Sequence, residues 1–264
     1  MRRTRIISAV ILVLAFIFSS SLTEGAETAK EFYNRIRKRL SNDRNDYAYL
    51  TDKEFANFRE IQTTGIGRGK LYRSSSPIKA WGNRNVIADN AAREAGVKTF
   101  INLADSEKSM KAMNGFNETY YSRQRYIGLK LNTKFMSKDF QKGLARGVRF
   151  MARNEPPYLI HCDLGKDRAG LFSAVIECLM GARDDEIVAD FLVSFRNYFG
   201  IEPGSDDYDF VVKNEARKFI ANMLGVNDIS KVNLKDAAER YLLRIGVSER
   251  DIKLLREKLT SSQQ

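Results

Sequence analysis

The sequence predicts an α/β domain: a central, mostly parallel sheet flanked by helices, followed by a C-terminal helical hairpin. Three observations carry that expectation. Short apolar runs, such as residues 97–103 and 158–162, alternate with longer stretches of helical periodicity. That is the order of parallel strands joined by crossover helices. Glycines stand where the helical stretches stop, at Gly96, Gly181 and Gly246. The tail, by contrast, is apolar at helical spacing alone.

The elements follow in order. Residues 1–26 run from Arg2, Arg3 and Arg5 through an apolar stretch, 6–18, to Ser19, Ser20 and Ser21. This positive, apolar, small-residue order is that of a secretory signal peptide, and the apolar stretch is short for a membrane span. The expected address is exported: periplasmic, secreted or cell-surface. Residues 27–60 are polar and helix-prone and read as a helical N-terminal segment. The main domain is expected over 61–225. Its strands are predicted at 70–75, 97–103, 126–131 and 158–162. Helices are predicted at 86–95, from a Ser137 cap to 153, at 167–180, at 184–198 and at 207–224. Residues 226–264 form the hairpin, packed on the core. Its first helix carries Leu234, Ala237, Ala238, Tyr241, Leu242 and Ile245 on one face; its second, capped by Ser248, carries Ile252, Leu255 and Leu259.

Composition narrows the chemistry. The net charge of +11 favours anionic partners. Lys and Arg are spread along the chain, and no basic face with interleaved aromatics stands out, so nucleic acid is not expected. An acidic membrane surface remains a contact that the charge permits. The chain has one histidine, His161. A mechanism built on two histidines and a histidine-rich zinc site are thereby excluded, and a Ser-His-Asp triad would have to use His161 itself. Cys162 and Cys178 are too few for a disulfide scaffold. Cys178 sits in the apolar run 175–180 and reads as a buried helix residue.

The chemistry concentrates in His161-Cys162-Asp163-Leu164-Gly165-Lys166-Asp167-Arg168-Ala169-Gly170. A short strand ending at Cys162, a tight turn and a helix beginning near Arg168 would aim backbone amides into one hollow, a nest for an anion. Gly165 lets the turn bend where a side chain would forbid it. Arg168 brings a planar fork suited to two phosphate oxygens. Amide dipoles, the helix N-terminus and Arg168 together favour a thiolate at Cys162. Attack on phosphorus would give a phosphocysteine that water then hydrolyses, with no metal or cofactor required. His161 reads as an ordering partner for the loop. Lys166, inside the loop beside Arg168, suits a substrate with several phosphates. Arg73 reads as an anchor behind the loop or as a phosphate contact. Tyr198, Tyr208, Phe195 and Phe199 read as core packing, with a pocket wall as the alternative.

His161-Cys162-x5-Arg168 resembles the signature of the cysteine-based protein tyrosine phosphatases. More narrowly, the loop is similar to that of bacterial secreted tyrosine phosphatases that also act on phosphoinositides. Asn57-Phe58-Arg59-Glu60, Leu71-Tyr72-Arg73-Ser74-Ser75, Phe100-Ile101-Asn102-Leu103 and the tail from Tyr241 to Arg256 resemble further stretches of that group. The resemblance implies a tyrosine-phosphatase-like fold. It also implies phosphomonoester hydrolysis, with Cys162 and Arg168 catalytic and His161, Asp163, Leu164, Gly165, Lys166 and Arg73 binding substrate. The substrate would be a phosphorylated protein, a phosphoinositide or an inositol phosphate. Two departures stand out. Ala169 occupies a place usually held by Ser or Thr, whose hydroxyl assists the leaving thiolate, and Ala104 stands where the group often has Arg. The general acid is expected to be an Asp, yet residues 131–134, at the place of the mobile acid loop, hold no carboxylate. Asp105 and Asp167 are the leading candidates, ahead of Asp163 and Asp139. A phytase-like inositol polyphosphate phosphatase and a phosphate-ester-binding pseudophosphatase are the alternative readings.

Overall fold

The computed structural model describes residues 27–46 and 51–260. The proposed signal segment lies outside the described residues. The chain divides into two compact units, one ending at Leu40 and a larger one beginning at Ser41. In the described part of the first, helix α1 (Ala29–Ile36) starts at a capping box: Glu31 N donates to Thr28 Oγ1 at 3.3 Å while Thr28 N donates to Glu31 Oε2 at 2.9 Å.

The larger unit is built on a sheet of five strands among the described residues, in the order β1-β2-β5-β3-β4. The strands are β1 (Arg59–Glu60), β2 (Leu71–Ser74), β3 (Thr99–Asn102), β4 (Arg125–Gly128) and β5 (Tyr158–His161). All neighbours run parallel except β1, which lies antiparallel on β2. β1 falls within the segment expected to be helical. Its two residues take strand geometry because Arg59 and Glu60 pair with Arg73 and Tyr72, a long-range condition no local pattern announces. Helix α2 (Asp52–Phe55) precedes it, with a second capping box from Thr51 and Glu54. Between β2 and β3 lies α3 (Arg84–Glu94); between β3 and β4 lies α4 (Glu107–Lys111), which was not expected.

α5 (Lys138–Arg153) and α6 (Asp167–Met180) flank β5 in sequence. Ser137 Oγ accepts from Phe140 N, which fixes the start of α5. A Cβ at Gly143 would lie 2.1 Å from Leu131 Cδ2, and one at Gly147 would lie 2.8 Å from the Phe172 ring. Those two glycines let α5 settle against α6 and the chain leaving β4. α6 is buried nearly all round, from Ala169 to Met180, and ends at Gly181 with φ +90. β3 and β5 are buried at every residue, as central parallel strands are. Phe100 and Leu159, level with each other in β3 and β5, pack into a cluster with Ala88, Ala92, Met110 and Tyr121.

α7 (Asp184–Phe199) follows, then α8 (Asp206–Val211), one π turn (Val212–Ala216) and α9 (Arg217–Leu224). The tail forms α10 (Leu234–Arg244), packed on α6, and α11 (Glu249–Thr260), packed on α5. Within the larger unit the hairpin is joined to the sheet domain, since Gly67 N donates to Leu259 O at 2.8 Å. Among the described residues no helix is long and apolar enough to cross a membrane.

Candidate active site

β5, the central strand, ends at His161 and hands the chain to Cys162, and α6 starts at Asp167. The turn between them is drawn tight by Gly165, at φ +68. A Cβ there would lie 2.1 Å from Ser74 O, so only glycine lets the turn lie on the end of β2.

The carbonyls of this turn are tied from outside. Asp163 O accepts from Ser76 N at 3.0 Å. Leu164 O accepts from Asn57 Nδ2 at 3.0 Å and from the Tyr198 hydroxyl at 2.6 Å. Gly165 O accepts from Arg73 Nε and Nη2 at 3.2 and 3.0 Å, and Lys166 O from Arg73 Nη2 at 3.1 Å. In a trans peptide the N–H points opposite to the C=O. Four outward carbonyls in succession therefore turn the following amides inward, toward the start of α6. The result is an anion nest backed by a helix N-terminus. Cys162, buried but for 3% of its surface, stands at its base.

Arg168 closes the far wall. Its Nη1 donates to Leu131 O at 3.0 Å and, more weakly, to Leu103 O at 3.5 Å, while Nη2 pairs with Asp163. Burial works against the guanidinium's charge, but Cys162, Asp163 and Asp167 outweigh it and raise its pKa. Asp163 also receives Lys79 Nζ at 2.6 Å. Burial opposes ionisation of Asp163; Arg168 and Lys79 prevail and hold its carboxyl below the usual range.

The other candidates fall into two groups. Asp105 and Asp167 are both half-buried, Asp167 at the start of α6 and Asp105 in the chain just past β3. Asp167 pairs with Lys166, and Asp105 receives Asn102 Nδ2 at 3.3 Å. Asp139 is exposed in the first turn of α5. Three expected substrate contacts instead lie behind the loop. Arg73 is completely buried and its donors are spent on loop carbonyls, Asp190 and Ser194, so it is an anchor and not a phosphate contact. Lys166 turns under the loop, its ammonium 4.3 Å from the centre of the Phe195 ring and paired with Asp167; a cation inside the loop need not face the hollow. His161 is buried against Tyr121, with Nε2 3.4 Å from the tyrosine hydroxyl. Burial depresses its pKa to about 3, so the ring is neutral.

Several residues around the loop escaped the sequence reading of the site. Asn57, Ser76, Lys79, Asp190 and Ser194 all bear on it, and Tyr198 does more than fill the core. Only Asn57 and Ser76 carried a signal, in the polar stretches 57–60 and 73–76. Cys178 lies buried in α6, where burial pushes its thiol well above the ordinary range. Among the described residues no three His, Cys, Asp or Glu side chains come together to hold a metal ion.

Comparison with known proteins places this arrangement. The profile of the tyrosine phosphatase family matches residues 51–261. A tyrosine-protein phosphatase of Nostoc commune is 26% identical over 204 residues, which is 65% of this chain and 69% of that protein. Among solved structures, the core catalytic domain of the PP-IP phosphatase SIW14 from S. cerevisiae, in complex with citrate, shares 17% identity at a TM-score of 0.38. That match covers 63% of this chain and 90% of the other. With its strand–loop–helix site inside the matched span, the chain belongs to the tyrosine phosphatase family.

Proposed function

We propose that this chain is a metal-independent, cysteine-dependent phosphomonoester hydrolase acting on phosphotyrosine, on phosphoinositides or on both. The observation that carries the reading is the turn 163–166: its carbonyls are bound from outside, which turns its amides toward the hollow above Cys162. A dianionic phosphate ester seats on those amides, and Arg168 exchanges its pairing with Asp163 for two phosphate oxygens. The Cys162 thiolate attacks phosphorus in line as the ester oxygen leaves. An acid must protonate that oxygen. Asp105 is the better suited of the two: its carboxylate meets a neutral amide, whereas that of Asp167 is engaged by the Lys166 ammonium, which favours its ionised form. Water then cleaves the phosphocysteine, regenerating the thiolate and releasing inorganic phosphate. The exposed Lys79 ammonium stands beside Asp163 at the loop and suits a second anionic group on the substrate.

The test follows phosphate release by the full chain, with reductant. The substrates are a phosphotyrosine peptide, a short-chain phosphoinositide and inositol hexakisphosphate, with and without EDTA. Release that EDTA spares and Cys162→Ser abolishes is the expected result. Preference for the hexakisphosphate would favour the phytase-like alternative. Binding of all three esters without release would make the chain a phosphate-ester-binding protein. The N-terminal segment is assigned to export; N-terminal sequencing of protein recovered outside the cytoplasm checks it.

A further inference from the structure

Arg59 and Arg73 face each other across β1 and β2, level in register. Two guanidinium groups opposed on neighbouring strands and taken out of water repel each other. What reconciles them is a single side chain from α7: Asp190 Oδ1 accepts from Arg59 Nε at 2.7 Å, and Oδ2 accepts from Arg73 Nη1 at 2.5 Å. The backbone carbonyl of Asp190 takes Arg59 Nη2 at 2.8 Å as well. One helical turn on, Ser194 Oγ meets Arg59, Arg73 and Asn57. Arg73 and Asn57 are two of the groups that hold the loop carbonyls outward.

We propose that Asp190 is a positioning residue of the active-site loop, acting through Arg73 to keep the loop amides aimed at the bound phosphoryl group. The proposal rests on the phosphatase reading of that loop. Burial opposes the charge of Asp190, but Arg59 and Arg73 outweigh it and keep the carboxyl ionised. Glu177, the other acid of the cluster, goes the opposite way: burial and the charge of Asp190 raise its pKa, which disfavours a second negative charge there. Asp190 is thus the carboxylate that bridges the arginine pair and offsets their repulsion. Without it Arg73 faces Arg59 uncompensated, and its hold on Gly165 O and Lys166 O loosens. Small displacements of groups that orient a reacting phosphoryl cost up to about 100-fold in rate.

The experiment compares the full chain with Asp190→Asn, Arg73→Gln and the double variant. Leu255→Ala, in the buried face of α11, serves as a control for lost stability alone. Two quantities are read on folded protein: the affinity for tungstate, a phosphate-like oxyanion, and kcat on an aryl phosphate. Asp190→Asn is expected to weaken tungstate about tenfold and to lower kcat roughly 10- to 100-fold. Leu255→Ala lowers the melting temperature and leaves both readings in place. The double variant falls no further than Arg73→Gln, because the two act as one unit. If Asp190→Asn does not fold, Asp190→Glu keeps the charge and moves it by one methylene, with a smaller loss of the same kind. Unchanged tungstate affinity in the Asp190 variants, or losses that multiply in the double variant, overturns the proposal. Tungstate affinity needs no turnover, so a chain that binds it without hydrolysing esters loses the phosphatase reading and keeps this one. A chain that binds no tungstate loses both.

Discussion

His161 gives a prediction whose sign and size follow from burial. Its ring is fully buried, and its pKa falls from 6.5 to about 3 on folding. Between those values the unfolded chain holds a proton on this residue and the folded chain does not, so folding loses stability as pH falls. From pH 6.5 to pH 4.5 the loss attributable to His161 is about 2.3 kcal/mol, at about 1.4 kcal/mol per unit once well below the unfolded value. Glu177 works against it: an acid whose folded pKa is raised above 4.5 costs stability as pH rises above that value. The two slopes oppose each other, so the wild-type profile is flattened across this window. Asp163 and Asp190 have lowered values and lose their contributions only as pH falls below 3.8, outside the window. The assay is urea unfolding of the full chain and of His161→Asn at pH 6.5 and pH 4.5. His161→Asn removes the histidine slope and leaves that of Glu177, so the stability gap between the proteins shifts by about 2.3 kcal/mol in favour of the variant at the lower pH. A gap that stays constant with pH refutes the reasoning, because it means the folded protein takes up the same proton.

Three further outcomes are expected. Gly165→Ala puts a methyl against Ser74 O and a left-handed φ on alanine; a loss of at least about 2 kcal/mol in urea unfolding is expected, with tungstate binding abolished. Asp105→Asn lowers kcat about 100-fold on phenyl phosphate and far less on p-nitrophenyl phosphate, whose better leaving group needs less acid help; equal losses on both would remove Asp105 as the acid. Lys166→Met keeps the ratio of activities on bisphosphorylated and monophosphorylated inositol lipids while lowering the melting temperature, since the ammonium lies under the loop; selective loss on the bisphosphate would return Lys166 to the substrate side.

The core of the site was legible because its causes are local. A strand, a glycine turn and a helix start lie within ten residues, and each needs only its own neighbours: apolar side chains at 158–160, Gly165 at positive φ, and the apolar run after Arg168. The helices around β5 were legible for the same reason, with Ser137 and Gly181 marking ends the chain observes, whereas the helix predicted over 207–224 is interrupted by the π turn Val212–Ala216. Elements whose cause is distant were not. Arg59 and Glu60 become a strand only by pairing with Arg73 and Tyr72. The predicted strand 97–103 shrinks to Thr99–Asn102: Val97 and Leu103 are buried as their apolarity suggests, but pairing in the ladder stops short of them. α4 is five residues long, too short for its periodicity to show.

What sequence spacing withheld was depth. Arg73, Lys166 and Arg168 are three cations at one loop, and spacing alone lets each face the phosphate. Packing sorts them. Arg168 is held by the carbonyls of Leu103 and Leu131 at the far wall, where its fork can reach the hollow. Arg73 is walled in by Gly170, whose missing side chain leaves room for the guanidinium: a Cβ there would stand 2.9 Å from Nη2. Lys166 finds Phe195 beneath it. In the proposed mechanism only Arg168 of the three meets the substrate, and the other two serve the shape of the loop. The same sorting explains why so many polar groups surround a turn of four residues. An anion nest needs its amides unspent, so its carbonyls must be satisfied from elsewhere. Ser76, Asn57, Tyr198 and Arg73, drawn from distant parts of the chain, meet that demand. On the proposed reading the binding strength of the hollow therefore depends also on residues that never touch the ligand, and substitutions behind the loop are expected to alter oxyanion affinity while the motif itself stays intact.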